Sequence, residues 1–176
     1  MSSFREIYET HQHLVFNLCL NYLQNRLDAE EAAQDIFVKV HAKMGAFQEK
    51  ASLKTWIYRI SVNHCLDMLR MRKRQKRFAF LTSIFNIAGE VEIHPPDFDH
   101  PGVLLEDREA LERLFKQINT LPEQQKTALI LRYLDDLSPP EIAEVLQTSV
   151  KAVESLLQRA KQNLGKRLPQ TLLFCV

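Results

Sequence analysis

Apolar side chains return every three or four positions from residue 4 to residue 23: Phe4, Ile7, Tyr8, Leu14, Val15, Leu18, Cys19, Tyr22 and Leu23. That is the period of one face of an α-helix. Residues 25–28 interrupt it, and Asp28 has the chemistry of an N-cap for a second helix over about 29–44. Ala32, Ile36, Phe37, Val40 and Met44 share one side of that helix, and Gly45 suits its C-terminal cap. A polar loop from Phe47 to Ser52 leads to a third helix over about 53–77. Its core candidates are Trp56, Ile57, Ile60, Val62, Cys65, Leu66 and Leu69; beyond Leu69 the apolar period stops and basic residues take over.

The second half has its own pattern. Pro95, Pro96, Pro101 and Gly102 stand among acidic residues in 90–105, which reads as a linker, because proline removes a donor and disfavours helix before it. Leu111, Leu114, Phe115 and Ile118 resume helical spacing, and Pro122 suits the first turn of a helix reaching about Leu134. Ser138-Pro139-Pro140-Glu141 is a capping box with proline at the first helical position. The short helix it opens carries Ile142, Ala143, Val145 and Leu146, and Gln147-Thr148 forms the turn. Ser149 caps a last helix whose apolar positions are Val150, Val153, Leu156, Leu157, Ala160 and Leu164, with Lys151, Gln158, Arg159 and Lys161 on its polar side. Two helices joined so tightly predict a helix-turn-helix. The fold class expected is therefore all-α: two small helical domains, 1–80 and 106–170, a flexible acidic linker over 81–105 and a tail at 171–176. The uncharged FAFLTSIFNIAG at 78–89 reads either as a helix with Phe78, Leu81, Phe85 and Ala88 on one face or as a docking segment.

Charge changes the picture. The 176 residues carry a net charge of only +1, but residues 54–77 are net +7 and residues 90–112 net −7. Residues 146–176 are net +4. Two basic segments with an acidic one between them suggest two contacts with a polyanion. Glycine, at 4 residues, is too scarce for a phosphate-cradling loop, and neither GxGxxG nor GxxxxGKS/T occurs. Cys19, Cys65 and Cys175 are an odd, widely spaced set, which speaks for reduced thiols rather than a disulfide framework. The charged start, MSSFRE, and the lack of an apolar run of about 18 residues predict a cytoplasmic protein with no membrane span.

Three motifs in order resemble the extracytoplasmic-function sigma factors of bacterial RNA polymerase, within the sigma-70 family. DAEEAAQDIFVK at 28–39 is similar to the family's polymerase-binding helix. LKTWIYRISVN at 53–63, followed by Asp67 and Arg70, resembles its −10 recognition and melting helix. LPEQQK at 121–126, EIA at 141–143 and RAK at 159–161 resemble its −35 recognition domain. The resemblance implies that Asp28, Glu31, Gln34, Asp35, Phe37 and Lys39 bind core polymerase at the β′ clamp helices, with the β flap as a further contact. It implies that Phe47, Lys54, Thr55, Tyr58, Arg59, Asn63, Asp67, Arg70, Lys73 and Arg74 meet −10 DNA, with Arg72 also on phosphate. Trp56 and Tyr58 are stacking platforms or core; Trp56 keeps phase with Ile60. Asn63 and Asp67, four apart, read base edges or orient an arginine. At −35 the implied contacts are Ser149, Lys151, Ala152, Glu154, Ser155, Gln158, Arg159 and Lys161. It further implies promoter DNA as ligand, no cofactor, and control by an anti-sigma protein, for which 78–89 is a candidate contact.

Departures from the family bear on the −35 reading. Asp136 and Gln147 stand where many members have glycine, so those turns are expected to differ. Glu154 stands where a basic residue is frequent, and Leu156 replaces a common arginine, so no −35 sequence preference transfers. Two other classes compete. An enzyme would need a site, but His11, His13, Cys19 and the His64-Cys65 pair have no zinc spacing, and HExxH is absent. A thiol sensor at Cys65 would need exposure. A helix-turn-helix regulator acting without polymerase would normally carry a ligand pocket or dimer helix, and the sequence offers neither.

Overall fold

The computed structural model describes residues 3–47, 52–84 and 105–166. Among the described residues every regular element is helical: α1 (Phe4–Leu23), α2 (Arg26–Lys43), a 3-10 turn (Met44–Ala46), α3 (Leu53–Ile84), α4 (Leu105–Ile118), α5 (Glu123–Tyr133), α6 (Pro139–Leu146) and α7 (Val150–Gly165). The chain divides into two compact units. One holds α1, α2 and α3 from Ile60 onward; the other holds α3 up to Arg59 with α4 to α7. The all-α class and the helix-turn-helix read from the sequence are both present.

In the first unit, α1 opens on a capping box. The Glu6 N–H donates to the Ser3 hydroxyl at 3.3 Å, and the Ser3 N–H donates to Glu6 Oε2 at 2.9 Å. α1 ends at Gln24, in the left-handed region at φ 54°. Asn25 then caps α2, its Oδ1 accepting from the Asp28 N–H at 3.0 Å. The cap is thus three residues earlier than Asp28, because the reversal at Gln24 leaves no room for a longer connection. α2 ends in the 3-10 turn through Met44, so Gly45 is not its cap; a side chain there would meet nothing within 4 Å. Val15, Leu18, Cys19 and Tyr22 of α1 and Ala29, Ala32, Ile36 and Val40 of α2 are buried. α3 adds Val62, Cys65 and Leu66, while Ile60 and Leu69 are half-buried; Trp56, in the part of α3 that belongs to the second unit, is half-buried too. Cys65 Sγ lies 3.7 Å from Cys19 Sγ, both wholly buried, which marks the contact between α3 and α1.

α3 starts on Ser52, whose hydroxyl accepts from the Thr55 N–H at 3.0 Å. It runs to Ile84 rather than Arg77. The basic run ends the apolar contact and not the helix, since Arg, Lys and Gln are strong helix formers. Of the uncharged 78–89 stretch, 78–84 continue α3; the rest, with most of the proposed linker, falls outside the described residues.

In the second unit, Phe115, Ile118, Leu121, Leu129, Ala160 and Leu164 form the core, with Leu111, Leu114 and Tyr133 packed against it. Pro122 is the N-cap of α5 rather than part of its first turn. Ser138 and Glu141 form the expected capping box of α6, the Ser138 N–H donating to Glu141 Oε2 at 2.8 Å. Those hydrogen bonds from Ser138 hold the Glu141 carboxyl below its usual pKa. Asp136 and Gln147 adopt φ of 52° and 53°. The turns that glycine would favour are therefore kept and not replaced. Behind Gln147, the Thr148 N–H closes on the Ala143 carbonyl at 2.9 Å, satisfying the end of α6. A side chain in the left-handed region costs about 1 kcal/mol. Gln147→Gly should therefore leave the turn intact and raise stability by up to about 1 kcal/mol, read from urea denaturation.

Candidate functional site

On α2, Glu31, Gln34, Asp35 and Lys39 are exposed and share the face that their spacing predicts. Asp28 and Phe37 do not stand on that face as surface groups. Asp28 has 6% of its side chain exposed and pairs with Arg72 of α3 at 2.6 Å. Phe37 is buried edge-on against Tyr8, ring centroids 4.7 Å apart. Lys39 Nζ donates to His64 Nδ1 at 2.6 Å, and His64 Nε2 faces Asp35 Oδ2 at 3.7 Å. Burial, then the Lys39 ammonium, hold the imidazole below its ordinary pKa. A neutral ring accepting at Nδ1 carries its proton on Nε2, toward Asp35. Sequence reasoning passed over Val38, which is 68% exposed. It edges an apolar groove with Phe4, Tyr8, Gln34, Phe37 and His41. Its signal was negative: a large apolar residue outside the Ala32/Ile36/Val40 period has no core to enter.

On α3, Lys54, Asn63, Asp67, Arg70, Lys73 and Arg74 are exposed. Asp67 orients Arg70 through a 3.0 Å ion pair. Arg72 turns inward to Asp28, and Arg59 is half-buried with its Nε covered. Phe47 is half-buried at the end of the 3-10 turn. Thr55 and Tyr58 are 5% and 3% exposed, so in this structure neither offers a surface to a base. The Thr55 hydroxyl is engaged with Ser52 at 2.8 Å. Tyr58 lies under Lys54, whose Nζ is 5.9 Å from the ring centroid. Burial, then the Asp135 and Glu141 carboxylates of the same unit, push its phenol well above the usual range. Burial likewise pushes the Asp135 carboxyl up to about 7, against the pull of Lys54, and its Oδ2 is covered without a hydrogen-bond partner.

On α7, Ser149 is the N-cap, its hydroxyl accepting from the Ala152 N–H at 3.2 Å. Lys151, Glu154, Gln158, Arg159 and Lys161 are exposed; Ala152 and Ser155 are half-buried. The Ser155 hydroxyl donates to the Lys151 carbonyl at 2.9 Å. Lys161 Nζ stands 4.8 Å over the Tyr133 ring. One side of α7 borders a groove completed by Gln124, Leu146 and Thr148. Leu156, grouped with the core by its spacing, lines that groove instead.

Among the described residues no group of three His, Cys, Asp or Glu could hold a metal ion. His11 Nδ1 is engaged by the Ile7 carbonyl at 2.9 Å, and Cys65 is wholly buried, which removes the exposure that a thiol sensor needs. No described helix is long and apolar enough to cross a membrane.

Two outcomes follow from this geometry. Arg72→Met strands a buried carboxylate and should cost about 3 kcal/mol in chemical denaturation. Lys73→Met, one position away and exposed, should change stability by less than about 0.5 kcal/mol. For Asp135, the native state keeps its proton to about pH 7 while the unfolded chain releases it near the ordinary aspartate value of 3.8. The native state thus binds more protons across that window, and stability falls as pH rises through it. Asp135→Asn should remove this slope and raise the melting temperature at pH 8 more than at pH 4, measured by thermal melts across the range.

The family model for sigma-70 region 2 matches residues 7–75, and that for sigma-70 region 4 matches residues 111–164. The ECF RNA polymerase sigma factor SigW of Bacillus subtilis is 29% identical over 170 residues, 94% of this chain and 89% of that protein. The ECF RNA polymerase sigma-E factor of Escherichia coli is 28% identical over 162 residues, 90% of this chain and 82% of its own. In fold, the chain is similar to the sigma factor RpoE of Bartonella quintana, solved with the anti-sigma factor NepR. The TM-score is 0.67 at 24% identity, covering 97% of this chain and 96% of that one. CnrH, solved with the cytosolic domain of CnrY, gives a TM-score of 0.64 at 20% identity, covering 93% and 85%. Two regions of one family stand here in order, and the relatives align over nine-tenths of the chain; the chain belongs to the sigma-70 family, as an RNA polymerase sigma factor of the extracytoplasmic-function type.

Proposed function

We propose that the chain joins core RNA polymerase in the cytoplasm and directs it to promoters, binding through α2, opening −10 DNA with α3 and reading −35 DNA with α7. It forms and breaks no covalent bond. The observation that carries this is the pairing of two unlike surfaces in family order. An exposed polar face on α2 is braced from behind by α3, and a capped helix-turn-helix presents cations and amides on α7.

Within that reading, Glu31, Gln34, Asp35 and Lys39 meet the β′ clamp helices directly. Asp28 and Phe37 act by holding α2, since an ion pair and a buried ring cannot at once face a partner. Lys73 and Arg74 meet phosphate, which gives affinity and salt dependence, while Asn63 stands ready for a base edge. On α7, Lys151, Gln158 and Arg159 have the donors that guanine and adenine accept, and Glu154 accepts from cytosine. The 1–80 and 106–170 domains then divide the work, the first for polymerase and −10, the second for −35 and the β flap. Relatives solved with anti-sigma factors support a partner of that kind here, covering surfaces in both units.

Size-exclusion chromatography with bacterial core polymerase tests the reading. The wild-type chain should co-elute with the core enzyme. Gln34→Ala/Asp35→Ala should lose at least about tenfold in affinity, as expected for two central interface groups, with its helical circular dichroism unchanged. A folded wild-type chain that binds duplex promoter DNA but never co-elutes would instead mark a stand-alone DNA-binding regulator.

A further inference from the structure

The groove beside α7 contains a chemical mismatch with an ordinary polar recognition helix. Four α7 residues line it, Ala152, Ser155, Leu156 and Arg159, spaced as one helical stripe. The core takes a different stripe, with Val153, Ala160 and Leu164 buried. Leu156 is therefore not needed to complete the hydrophobic core; it is half-buried at the rim of an open groove with Leu146 and Thr148. Ser155 has its hydroxyl proton committed to the Lys151 carbonyl. What remains between the cations Lys151 and Arg159 is a pair of methyl-bearing side chains one turn apart, Ala152 and Leu156.

Cationic flanks suit a duplex whose phosphates line both sides of a groove. In the major groove the base edges display donors, acceptors and one apolar group, the 5-methyl of thymine. Resting on the proposed role of α7 at −35, we infer that Leu156, backed by Ala152, is a specificity residue that reads thymine methyl groups in the −35 element. Arg159, at the end of the same stripe, supplies the polar readout beside it.

The test uses holoenzyme assembled from the full chain and core polymerase. Two promoter libraries, randomised over the −35 hexamer, differ only in carrying thymidine or deoxyuridine, which lacks the methyl group. Wild type should enrich thymine at one or more −35 positions, and that enrichment should fall about fourfold in the uracil library, the factor for one buried methyl. Leu156→Ala should show no difference between libraries while keeping its preferences for guanine, and Leu156→Met should restore the difference. Equal enrichment of thymine and uracil by wild type would overturn the inference, as would a difference that survives in Leu156→Ala. Base preferences without a thymine–uracil difference would leave the −35 role of α7 standing and remove only that of Leu156. No preference at any −35 position would remove both.

Discussion

Asp28 of α2 and Arg72 of α3 meet at 2.6 Å with the carboxylate almost wholly buried. Taking both charges out of water costs several kcal/mol each, and their attraction roughly returns it. The pair therefore adds little net stability but penalises every alternative packing. Sliding α3 by one residue would bring either Met71, which leaves the carboxylate unpaired, or Lys73, which replaces the planar guanidinium with a shorter point charge. The register of α3 against α2 follows from this one contact. With it comes the relation between the polar α2 face and the basic residues that remain outside.

A second polar pin works in the same direction. Lys39, His64 and Asp35 form a chain from α2 to α3 and back, with a neutral imidazole in the middle. Two of its three members belong to the α2 face proposed for polymerase. The Lys39 side chain is thereby held by its hydrogen bond to His64 before any partner arrives, which lowers the ordering cost of binding. The same arrangement explains why Lys39 is less a free cation than its exposure suggests.

The helices were largely legible because each rests on a local rule. Apolar period placed α1, α2 and α4, and capping chemistry placed the starts of α6 and α7. The misses came where two residues could perform one task, or where length had no local stop signal. Asn25 and Asp28 are both competent caps, and only the reversal at Gln24 decides between them. No glycine or proline stands at or just after Arg77, so only the loss of apolar period suggested an end there. Asp136 and Gln147 show the converse: the turn geometry persisted without glycine, because the capping bonds around it outweigh about 1 kcal/mol of backbone strain. Surface residues were legible as a set but not one by one. Spacing gave the α2 and α7 faces, yet could not show that Asp28 is buried in an ion pair or that Thr55 and Tyr58 are covered. The surroundings of Asp28 and Tyr58 include residues 44, 77 and 83 positions away in the chain, beyond the reach of any local period.

The same tertiary pairing corrects the meaning of charge. Residues 54–77 carry eight cations. Arg72 is spent on Asp28, Arg70 is matched to Asp67, Lys54 sits over Tyr58, and Arg59 is half-buried. The exposed remainder, Lys73, Arg74, Lys76 and Arg77, lies on consecutive turns at the far side of the pinned segment. A polyanion approaching α3 thus meets a short, dense cationic end rather than a uniformly basic helix. In the role proposed for α3 at −10, that end supplies affinity and the half nearer its start, packed and polar, supplies selectivity. Separating the two along one helix works only if that helix is rigid and fixed in register, which the buried ion pair provides.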